Sequence, residues 1–414
     1  MQRISKALLQ SGGVGRDLHP GTLPTRRETI LQFGEGGFLR GFVDWMIHRL
    51  QQQGLYDGSI VVVQPIASGM VAELQKQDGL YTVILRGIHQ GRRVEERTVV
   101  SSISRTINPF TDHDEWLRCA ANPDLRFIVS NTTESGITCS PDDRFDDAPP
   151  VSFPAKLTRF LHERFKTFGG AGHGFVLLPC ELIESNGMKL KACVIETASK
   201  WRLEEGFIRW VDEENIFCNT LVDRIVTGFP HGEVPSLWEE LGYEDMLLDT
   251  GEWFHNWVIE GPDWIGREIP FTAAGLDVVF TRDYLPYRNR KVLILNGAHS
   301  ALVCRAQPMG IGTVRECIEH PEVGPWLERL LFEEIVPALE GCVEDPAGFA
   351  REVLDRFRNP AINHQLSSIA LNHDDKVKVR LVPTAHQFEK VFGKKPPMLS
   401  QLIAPFLHET NMHR

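Results

Sequence analysis

The sequence lacks the patterns that hold structural metals or disulfides. Its eight cysteines are scattered and include no Cys-x-x-Cys pair, and its histidines do not fall at zinc-ligand spacing. The tightest groupings of histidine with acidic residues, at 112–114 and 373–375, are typical of solvated turns. We therefore expect free thiols in a reducing cytoplasm and no bound metal ion.

Long basic blocks and long apolar runs are also missing. The 414-residue chain has a net charge of −11, which disfavours nucleic acid and anionic membranes as partners. No apolar run approaches the roughly 20 residues that cross a bilayer, and residues 1–22 do not resemble a secretion signal. These absences predict a cytoplasmic protein that acts on a small molecule, and they leave open whether it is a homodimer or a monomer. An anionic substrate stays open, because a local basic pocket can exist inside an acidic protein.

Up to about residue 235, the sequence alternates between apolar strand-like runs and amphipathic helices. The run SIVVVQPI at 59–66 is typical of a strand buried on both faces, and similar runs lie at 29–34, 125–131 and 174–180. This rhythm predicts an α/β fold with a mainly parallel, doubly wound sheet.

After about residue 235, helical periodicity with capping Ser and Asp residues dominates, and KVRLVP at 378–383 is the main extended run. We predict a loosely ordered leader at 1–24, a sheet domain at 25–235 and a mostly α-helical domain at 236–414.

The first predicted strand ends in a glycine-rich turn, FGEGGFLRGF. Gly34 and Gly36 lie where the strand turns into a helix, and glycine there allows positive φ and close approach of backbone N–H groups to a phosphate. Phe38 and Arg40 follow, and Arg40 could pair with a pyrophosphate oxygen. Leu39 stands where the dinucleotide fingerprint has its third glycine. The turn suits a dinucleotide or no ligand at all, and its place after the first strand favours the dinucleotide.

Further polar positions lie at the expected carboxyl ends of strands. Gln64 follows the second strand, where an acidic residue usually binds the ribose, and it could make that hydrogen bond. No arginine or lysine adjoins Gln64 to hold a 2′-phosphate, which favours NAD over NADP. Asn131 and Thr132 follow the fourth strand, where they could contact the cofactor, cap a helix, or do both.

The segment KVLILNGAHS places three polar side chains among small and apolar residues. On a helix, His299 lies between Lys291 and Asn296 in angle, so the three could meet at one pocket mouth. They suit carbonyl reduction: an asparagine N–H can stabilise the oxyanion, a lysine can deliver the proton and a histidine can orient the oxygen. The alternative is a capping lysine, a buried structural asparagine and a core histidine.

Several motifs resemble a known family. Roughly residues 25–405 are similar to the polyol-specific long-chain dehydrogenases, the mannitol dehydrogenase family, in LQFGEGGFLRGFVDW, SNTTESGI, PCELIESNG, FCNTLVDRIVTG, KVLILNGAHSALV and RFRNPAINHQLSSIALN. SNTTESGI and PCELIESNG point to the uronate branch. The resemblance implies a Rossmann-type NAD-binding domain at 25–235, a helical substrate and catalytic domain at 236–414, and a site between them. It implies NAD-dependent, metal-independent interconversion of D-tagaturonate and D-altronate.

The resemblance also implies roles for single residues. Lys291 would be the general acid and base, Asn296 would stabilise the oxyanion, and His299 would assist. Asp223 would lie by the cofactor and Arg224 by the substrate, near the nicotinamide end. The local sequence around that pair fits an ordinary ion pair at a helix start equally well.

Some positions depart from the family pattern. CEL at 180–182 replaces Cys-Asp-Asn, so Asn186 is expected to substitute for a missing substrate-binding asparagine. Lys376 is the expected partner of the uronate carboxylate, although HDD precedes it in place of small residues. Lys378 and Arg380 are the other basic candidates.

Two alternatives to the uronate activity remain open. One is another activity of the same family, that of a mannitol 2-dehydrogenase or a fructuronate reductase. The other is an inactive NAD-binding paralogue, because relatives run further than this chain and part of the helical domain is expected to be missing or rebuilt. The intact Lys291, Asn296 and His299 argue against inactivity.

Overall fold

The structure, a computed structural model, describes residues 1–11, 23, 25–132, 135–170 and 172–407. Within these residues the β-strands are β1 (Arg27–Phe33), β2 (Gly58–Val63), β3 (Tyr81–His89), β4 (Arg92–Val100), β5 (Ile103–Ile107), β6 (Phe127–Ser130), β7 (Val176–Pro179), β8 (Ile216–Phe217), β9 (Asn219–Asp223), β10 (Val226–Gly228), β11 (Asp249–Glu252), β12 (Asn256–Glu260) and β13 (Val278–Thr281). The α-helices are α1 (Lys6–Gln10), α2 (Gly37–Leu39), α3 (Trp45–Gln52), α4 (Val71–Lys76), α5 (His113–Arg118), α6 (Phe153–Phe168), α7 (Asn186–Lys200), α8 (Glu205–Glu214), α9 (Val234–Leu241), α10 (Ile265–Glu268), α11 (Leu285–Arg290), α12 (Asn296–Ala306), α13 (Val314–Glu319), α14 (Val323–Arg329), α15 (Val336–Leu339), α16 (Pro346–Phe357), α17 (Leu366–Ile369), α18 (His373–Arg380), α19 (Val382–Phe392) and α20 (Pro397–Leu407). Short π-helical segments are Arg40–Asp44, Lys291–Leu295 and Leu330–Ile335, and short 3₁₀ segments are Cys119–Ala121, Phe271–Ala274 and Gln307–Met309.

The chain divides into two compact units. Unit 1 comprises residues 1–85, 96–251 and 255–282, and unit 2 comprises residues 86–95, 252–254 and 283–414. The main division thus falls at 282/283 rather than at the expected 235/236. Between residue 235 and this division, the α-helices are α9 and the short α10, and the strands β11, β12 and β13 lie in the same region.

Unit 1 is built on a six-stranded sheet in the order β5-β2-β1-β6-β7-β8. All its neighbouring strands run parallel, with Leu31 of β1 in register with Val61 on one side and Ile128 on the other. All residues of β2, β6 and β7 are buried, as their apolar runs predicted for a sheet covered on both faces. The predicted α/β fold with a doubly wound parallel sheet is confirmed.

One face of this sheet packs on helices in a shared core. The core side chains come from the strands and from α5, α6, α7 and α8, and include Leu31, Val61, Ile128, Leu177, Trp116, Phe160, Leu190 and Phe207. Helix α6 begins where the Ser152 side chain accepts from the Ala155 N–H and ends at Gly169, which has a positive φ of 68°.

Two smaller sheets have the orders β10-β11-β3-β4 and β13-β12-β9. Between β3 and β4 the chain turns at Gln90 and Gly91, which both have positive φ, and the two neighbouring strands form a hairpin.

The first eleven residues are ordered, in contrast to the loosely ordered leader expected for 1–24. Ile4 is fully buried and its N–H donates to the Glu244 carbonyl, and Leu9 on α1 is 4% exposed. These two apolar side chains join a core cluster with Leu237 and Tyr243, which explains the order. Residues 12–22 and 24 lie outside the described residues.

Unit 2 is mostly α-helical, as predicted, and its core is one apolar cluster formed by the π-helical segment Lys291–Leu295, by α12 to α20 and by the segments between them. The run KVRLVP, expected to be extended, is helical instead: it ends α18 and begins α19. Val377 and Leu381 are fully buried there, so packing of a helical face overrides the β-branched local sequence. None of the helices that the structure describes is long and apolar enough to span a membrane.

Candidate functional site

The glycine turn after β1 lies at the centre of the six-stranded sheet. Gly34 has a φ of 125°, and a Cβ on it would lie 3.0 Å from the Asn131 carbonyl oxygen, so only glycine fits. The Asn131 N–H donates to the Phe33 carbonyl at 3.1 Å, which joins the ends of β1 and β6. The sheet order reverses between these two strands, and ligands of open α/β sheets bind at such a switch point.

Gly36 differs from Gly34 in its backbone conformation and in the space around it. Its φ of −67° is open to any residue, and a Cβ on it would meet no described atom within 4 Å. Neither backbone strain nor protein packing requires glycine at this exposed position, so the space beside its backbone is available to a phosphate. The half-buried Phe38 follows, with its ring centroid 5.0 Å from that of Phe42.

Arg40 lies inside unit 1, with 3% of its surface exposed. Its Nη1 donates to the Leu247 carbonyl, and its guanidinium carbon lies 5.3 Å from the Tyr81 ring centroid. The Tyr81 hydroxyl donates to the Asp44 carboxylate at 3.0 Å. Burial raises the pKa of both Asp44 and Asp249 to about 7, against the opposing charge of Arg40. The structure therefore places Arg40 among buried acids, where its contacts fix the helical segment behind the turn.

Gln64 shapes the loop after β2. It is 2% exposed, and its Nε2 donates to the Ile66 carbonyl at 2.8 Å and the Ala67 carbonyl at 3.2 Å. Beside it, the Glu35 carboxylate accepts from the Met70 N–H at 3.1 Å, and burial raises the pKa of Glu35. The amide N–H groups of Gln64 thus hold this loop in place.

Asn131 and Thr132 at the end of β6 are held by residues after β7. Asn131 Nδ2 donates to the Cys180 carbonyl at 2.8 Å. The buried Glu181 carboxylate accepts from the Thr132 N–H and hydroxyl, both at 3.0 Å, and from the Ser130 hydroxyl at 3.1 Å. Burial raises the pKa of Glu181 and these hydrogen bonds lower it. Sequence reasoning missed these hydrogen bonds of Glu181. Their only signal in the sequence was the glutamate that replaces the aspartate of the family motif.

Asn186 is a buried residue whose side chain makes hydrogen bonds to the surrounding backbone. It is 1% exposed, and its Nδ2 has three carbonyl acceptors, those of Pro179, Glu181 and Thr220, at 3.0, 3.1 and 3.0 Å. Its Oδ1 accepts from the Gly187 and Thr220 N–H groups, each at 2.9 Å. Both polar atoms are used within unit 1, so these contacts do not support the substrate-binding role expected of Asn186.

Asp223 and Arg224 follow one another at the end of β9, and both are 6% exposed. Arg224 Nη1 donates to the Gly41 carbonyl at 2.7 Å, and its guanidinium carbon lies 4.4 Å from the Trp45 ring centroid. Gly41 lies in the π-helical segment behind the glycine turn. Arg224 therefore connects the end of β9 to that turn within unit 1.

Lys291, Asn296 and His299 lie on one continuous helical stretch of unit 2, through α11, a π-helical segment and α12. The Asn296 N–H donates to the carbonyl of Lys291, five residues back, as well as to that of Val292. In an α-helix, Lys291 and Asn296 would lie about 140° apart, and the wider π turn brings residues five apart closer to one face. The structure thus places Lys291 and Asn296 nearer each other than simple helical spacing predicts.

The three side chains differ in exposure. Lys291 and Asn296 are partly exposed, whereas His299 is buried, with its ring centroid 4.5 Å from that of Phe357 and 4.9 Å from that of His364. Among the described residues, the Asn296 side chain has no hydrogen-bond partner. Sequence reasoning missed Phe357 and His364 as neighbours of His299, although both lie in a motif that it singled out, RFRNPAINHQLSSIALN.

Lys376 lies on α18, which packs against α12. Its Nζ donates to the Ile369 carbonyl at 2.8 Å, and burial, followed by the charge of Arg380, lowers its pKa. Arg380, at the end of the same helix, donates from Nη1 to the Ser300 hydroxyl at 3.2 Å. Among the residues that the structure describes, no three histidine, cysteine, aspartate or glutamate side chains group as metal ligands.

The two units correspond to two domains of one known family. Residues 28–272 match the mannitol dehydrogenase Rossmann domain, and residues 283–410 match the mannitol dehydrogenase C-terminal domain. The chain belongs to the mannitol dehydrogenase family. The boundary between the matched domains agrees with the division at 282/283 in the fold.

Within the mannitol dehydrogenase family, this chain is similar to proteins named altronate oxidoreductase. The one from Bacillus subtilis (strain 168) is 49% identical over 373 residues, which cover 90% of this chain and 77% of the relative. That from Pectobacterium carotovorum subsp. carotovorum (strain PC1) is 46% identical over 382 residues, which cover 92% of this chain and 78% of the relative.

Solved structures with this fold include polyol dehydrogenases. A substrate-free D-sorbitol dehydrogenase matches with a TM-score of 0.85 and 22% identity, covering 98% of this chain and 85% of that one. Mannitol 2-dehydrogenase from Pseudomonas fluorescens, in a ternary complex with NAD and D-mannitol, matches with a TM-score of 0.71 and 23% identity, covering 98% and 83%. At this identity the two structures support the fold of the mannitol dehydrogenase family.

Proposed function

We propose that this chain is an NAD-dependent, metal-independent oxidoreductase that interconverts D-tagaturonate and D-altronate. The observation that carries the proposal is the 46–49% identity to altronate oxidoreductases over at least 90% of the chain. The chemistry is supported independently by the side chains of Lys291, Asn296 and His299, which suit reduction of a ketone.

The residues at the switch point fit a dinucleotide. Gly34 approaches Asn131 closely at the carboxyl ends of β1 and β6, and the open space beside Gly36 leaves room for a phosphate next to this turn. Thr132, held by Glu181, and the half-buried Phe38 border the same turn, and Gln64 follows the adjacent strand. When bound, the nicotinamide supplies the hydride that reduces the ketone carbon.

Arg40, Asp223 and Arg224 would support this site from behind. Arg40 is held by the Leu247 carbonyl, and Arg224 by the Gly41 carbonyl, so both fix the helical segment that follows the glycine turn. Asp223 precedes Arg224 at the buried end of β9.

The residues of unit 2 would stabilise the negative charge on the ketone oxygen and transfer the proton to it. As hydride reaches the carbon, negative charge develops on the ketone oxygen, and the Asn296 amide donates a hydrogen bond to that oxygen. The Lys291 ammonium then transfers a proton to the oxygen, which gives the hydroxyl of altronate, and in the reverse direction the lysine amine takes that proton back. His299, held between Phe357 and His364, orients the oxygen.

The test is NADH oxidation by the purified chain with tagaturonate, fructuronate and fructose side by side, with and without a metal chelator. We expect the highest kcat/KM with tagaturonate and no effect of the chelator. Lys291→Ala should lower kcat by about 10²- to 10⁴-fold, because it removes the general acid and base. NADH binding, followed by nicotinamide fluorescence, should change little.

Other outcomes would redirect the proposal in defined ways. A preference for fructuronate or fructose would keep the reaction type and reject the substrate. Loss of activity with the chelator would reject the metal-independent reaction. Equal loss of NADH binding and turnover in Lys291→Ala would reject the role in proton transfer.

A further inference from the structure

Arg380 lies across the helical turn that carries Asn296 and His299. Its Nη1 donates to Ser300 Oγ at 3.2 Å, and its carbonyl oxygen lies 3.7 Å from the position of a Cβ on Gly297. Ser300 is four residues after Asn296, so the two share one face of α12. The guanidinium of Arg380 is therefore held on the side of the helix that presents the Asn296 amide.

Arg380 is a partly buried cation without an acidic partner in the described part of the chain. Burial lowers the pKa of Arg380, and no described carboxylate oxygen lies within the 4.0 Å that defines an ion pair. Lys376, four residues earlier, adds a second positive charge, and its pKa is lowered by burial and by Arg380. A partly desolvated charge is costly unless it is paired, so this end of α18 is suited to an anionic ligand.

The contacts distinguish Arg380 from the other basic residues of α18. Lys376 Nζ already donates to the Ile369 carbonyl at 2.8 Å, which ties it to the end of α17. Lys378 is exposed. A guanidinium has five N–H donors, and Arg380 uses one of them on Ser300, which leaves enough for a bidentate pair with a planar carboxylate.

We propose that Arg380 binds the carboxylate of the substrate and so selects sugar acids over neutral sugars. This inference rests on the proposed function for the identity of the sugar acid. A ketose with a hydroxymethyl group in place of the carboxylate would leave the cation unpaired, whereas a uronate matches the geometry of a guanidinium better than that of an ammonium.

The experiment compares Arg380→Met, Arg380→Lys and Lys376→Met with a matched control, Lys378→Met, using tagaturonate and its neutral analogue tagatose. We expect Arg380→Met to lower kcat/KM for tagaturonate by about 10- to 100-fold, mainly through KM, since a charged hydrogen-bonded pair is lost. With tagatose the change should stay within about threefold. Arg380→Lys should retain part of the preference, and Lys378→Met should behave as wild type.

Equal losses on the two sugars in Arg380→Met would overturn the inference, as would selective loss in Lys376→Met with none in Arg380→Met. Thermal unfolding of each variant distinguishes a folding defect from a loss of substrate binding. If Arg380→Met does not fold, the ratio of kcat/KM for tagaturonate to kcat/KM for tagatose in Arg380→Lys decides instead.

Calorimetric binding of altronate and altritol to the NAD-loaded protein separates failure of this inference from failure of the proposed function. If wild type reduces no uronate but binds altronate through Arg380, only the proposed function fails. If it binds no sugar acid, both fail.

Discussion

At the scale of single residues, Asn186 and Asn296 differ in the hydrogen bonds that their side-chain amides make. Asn186 spends both polar atoms on five hydrogen bonds inside unit 1. The Asn296 side chain, by contrast, has no partner among the described residues and is partly exposed. A buried amide with all its hydrogen bonds made is a structural element, and an unpartnered amide beside a lysine can serve a substrate.

This contrast predicts opposite effects of the two alanine substitutions. Asn296→Ala should lower kcat by about 10²- to 10³-fold, as expected for loss of an oxyanion donor, with an unchanged melting temperature. Asn186→Ala should lower the free energy of unfolding by about 1–3 kcal/mol or more, because it leaves buried backbone groups unsatisfied. Steady-state kinetics and urea denaturation measure the two effects. An Asn296→Ala enzyme changed only in KM would contradict the oxyanion role.

The buried Asp44 makes stability depend on pH. Burial raises its pKa from 3.8 to about 7, so the folded state holds a proton that the unfolded state releases above about pH 4. Its contribution to stability is complete below pH 4 and is lost as the pH rises through about 7. Asp249, with a pKa also near 7, acts in the same direction.

Asp44→Asn removes the titration and keeps an acceptor for the Tyr81 hydroxyl. We expect the variant to match wild type near pH 4 and to gain up to about 4 kcal/mol in the free energy of unfolding at pH 8, because the pKa of Asp44 is raised from 3.8 to about 7. Urea denaturation across this pH range measures the difference, with the exposed Asp263→Asn as control. A variant equally destabilised at both ends of the range would contradict the raised pKa.

At the scale of elements, the turn after β1 contains two glycines required for different reasons. A side chain on Gly34 would be strained at its positive φ and would meet the Asn131 carbonyl, whereas a side chain on Gly36 would enter open space. We therefore expect Gly34→Ala to lower the free energy of unfolding by about 1–3 kcal/mol. Gly36→Ala should fold as wild type and bind NADH at least about tenfold more weakly, because a methyl group would occupy space beside a phosphate.

Fluorescence titration with NADH and thermal unfolding of both variants provide the measurement. If Gly36→Ala binds NADH as wild type does, the dinucleotide does not lie against this turn.

The elements that the sequence predicted best are those whose signal is local. The apolar run of β2 indicated a strand buried on both faces, and all six residues of that strand are buried. The helical structure of KVRLVP was not predictable from its β-branched residues, because it depends on burial of Leu381 in a distant core. Likewise, no local pattern indicates a π turn at Lys291, or the internal acceptors that engage Asn186.

At the scale of the whole molecule, the net charge is negative, whereas two neighbouring side chains on α18 of unit 2 are positive. The chain carries a net charge of −11, yet Lys376 and Arg380 share a part of unit 2 in which no described carboxylate pairs with either. The acidic surface does not prevent anion binding, because screening limits the reach of exposed charges to about 8–10 Å in physiological salt.

Unit 2 is assembled from three separate stretches of the chain, and a buried ion pair joins two of them. Arg356 on α16 donates to Glu252 of β11 through Nη2 at 2.8 Å and Nε at 3.0 Å, and its guanidinium carbon lies 4.1 Å from the Phe254 ring centroid. Asn359 donates to the Arg86 carbonyl at 3.0 Å, which joins the third stretch. Cutting the chain at 282/283 would therefore remove partners that unit 2 needs.

The buried pair predicts a specific pattern of stabilities. Arg356→Met removes the guanidinium that pairs with the Glu252 carboxylate, whose side chain is 1% exposed, and should cost about 3–5 kcal/mol of unfolding free energy. The double variant Glu252→Leu with Arg356→Met should recover most of this loss, because both charges of the pair are replaced by apolar side chains. Since Phe357, next to Arg356, packs on the His299 ring, the single variant should also lose activity that the double variant regains. Thermal unfolding and tagaturonate reduction measure both effects, and a double variant that is no more stable than Arg356→Met would show that the pair does not hold unit 2 together.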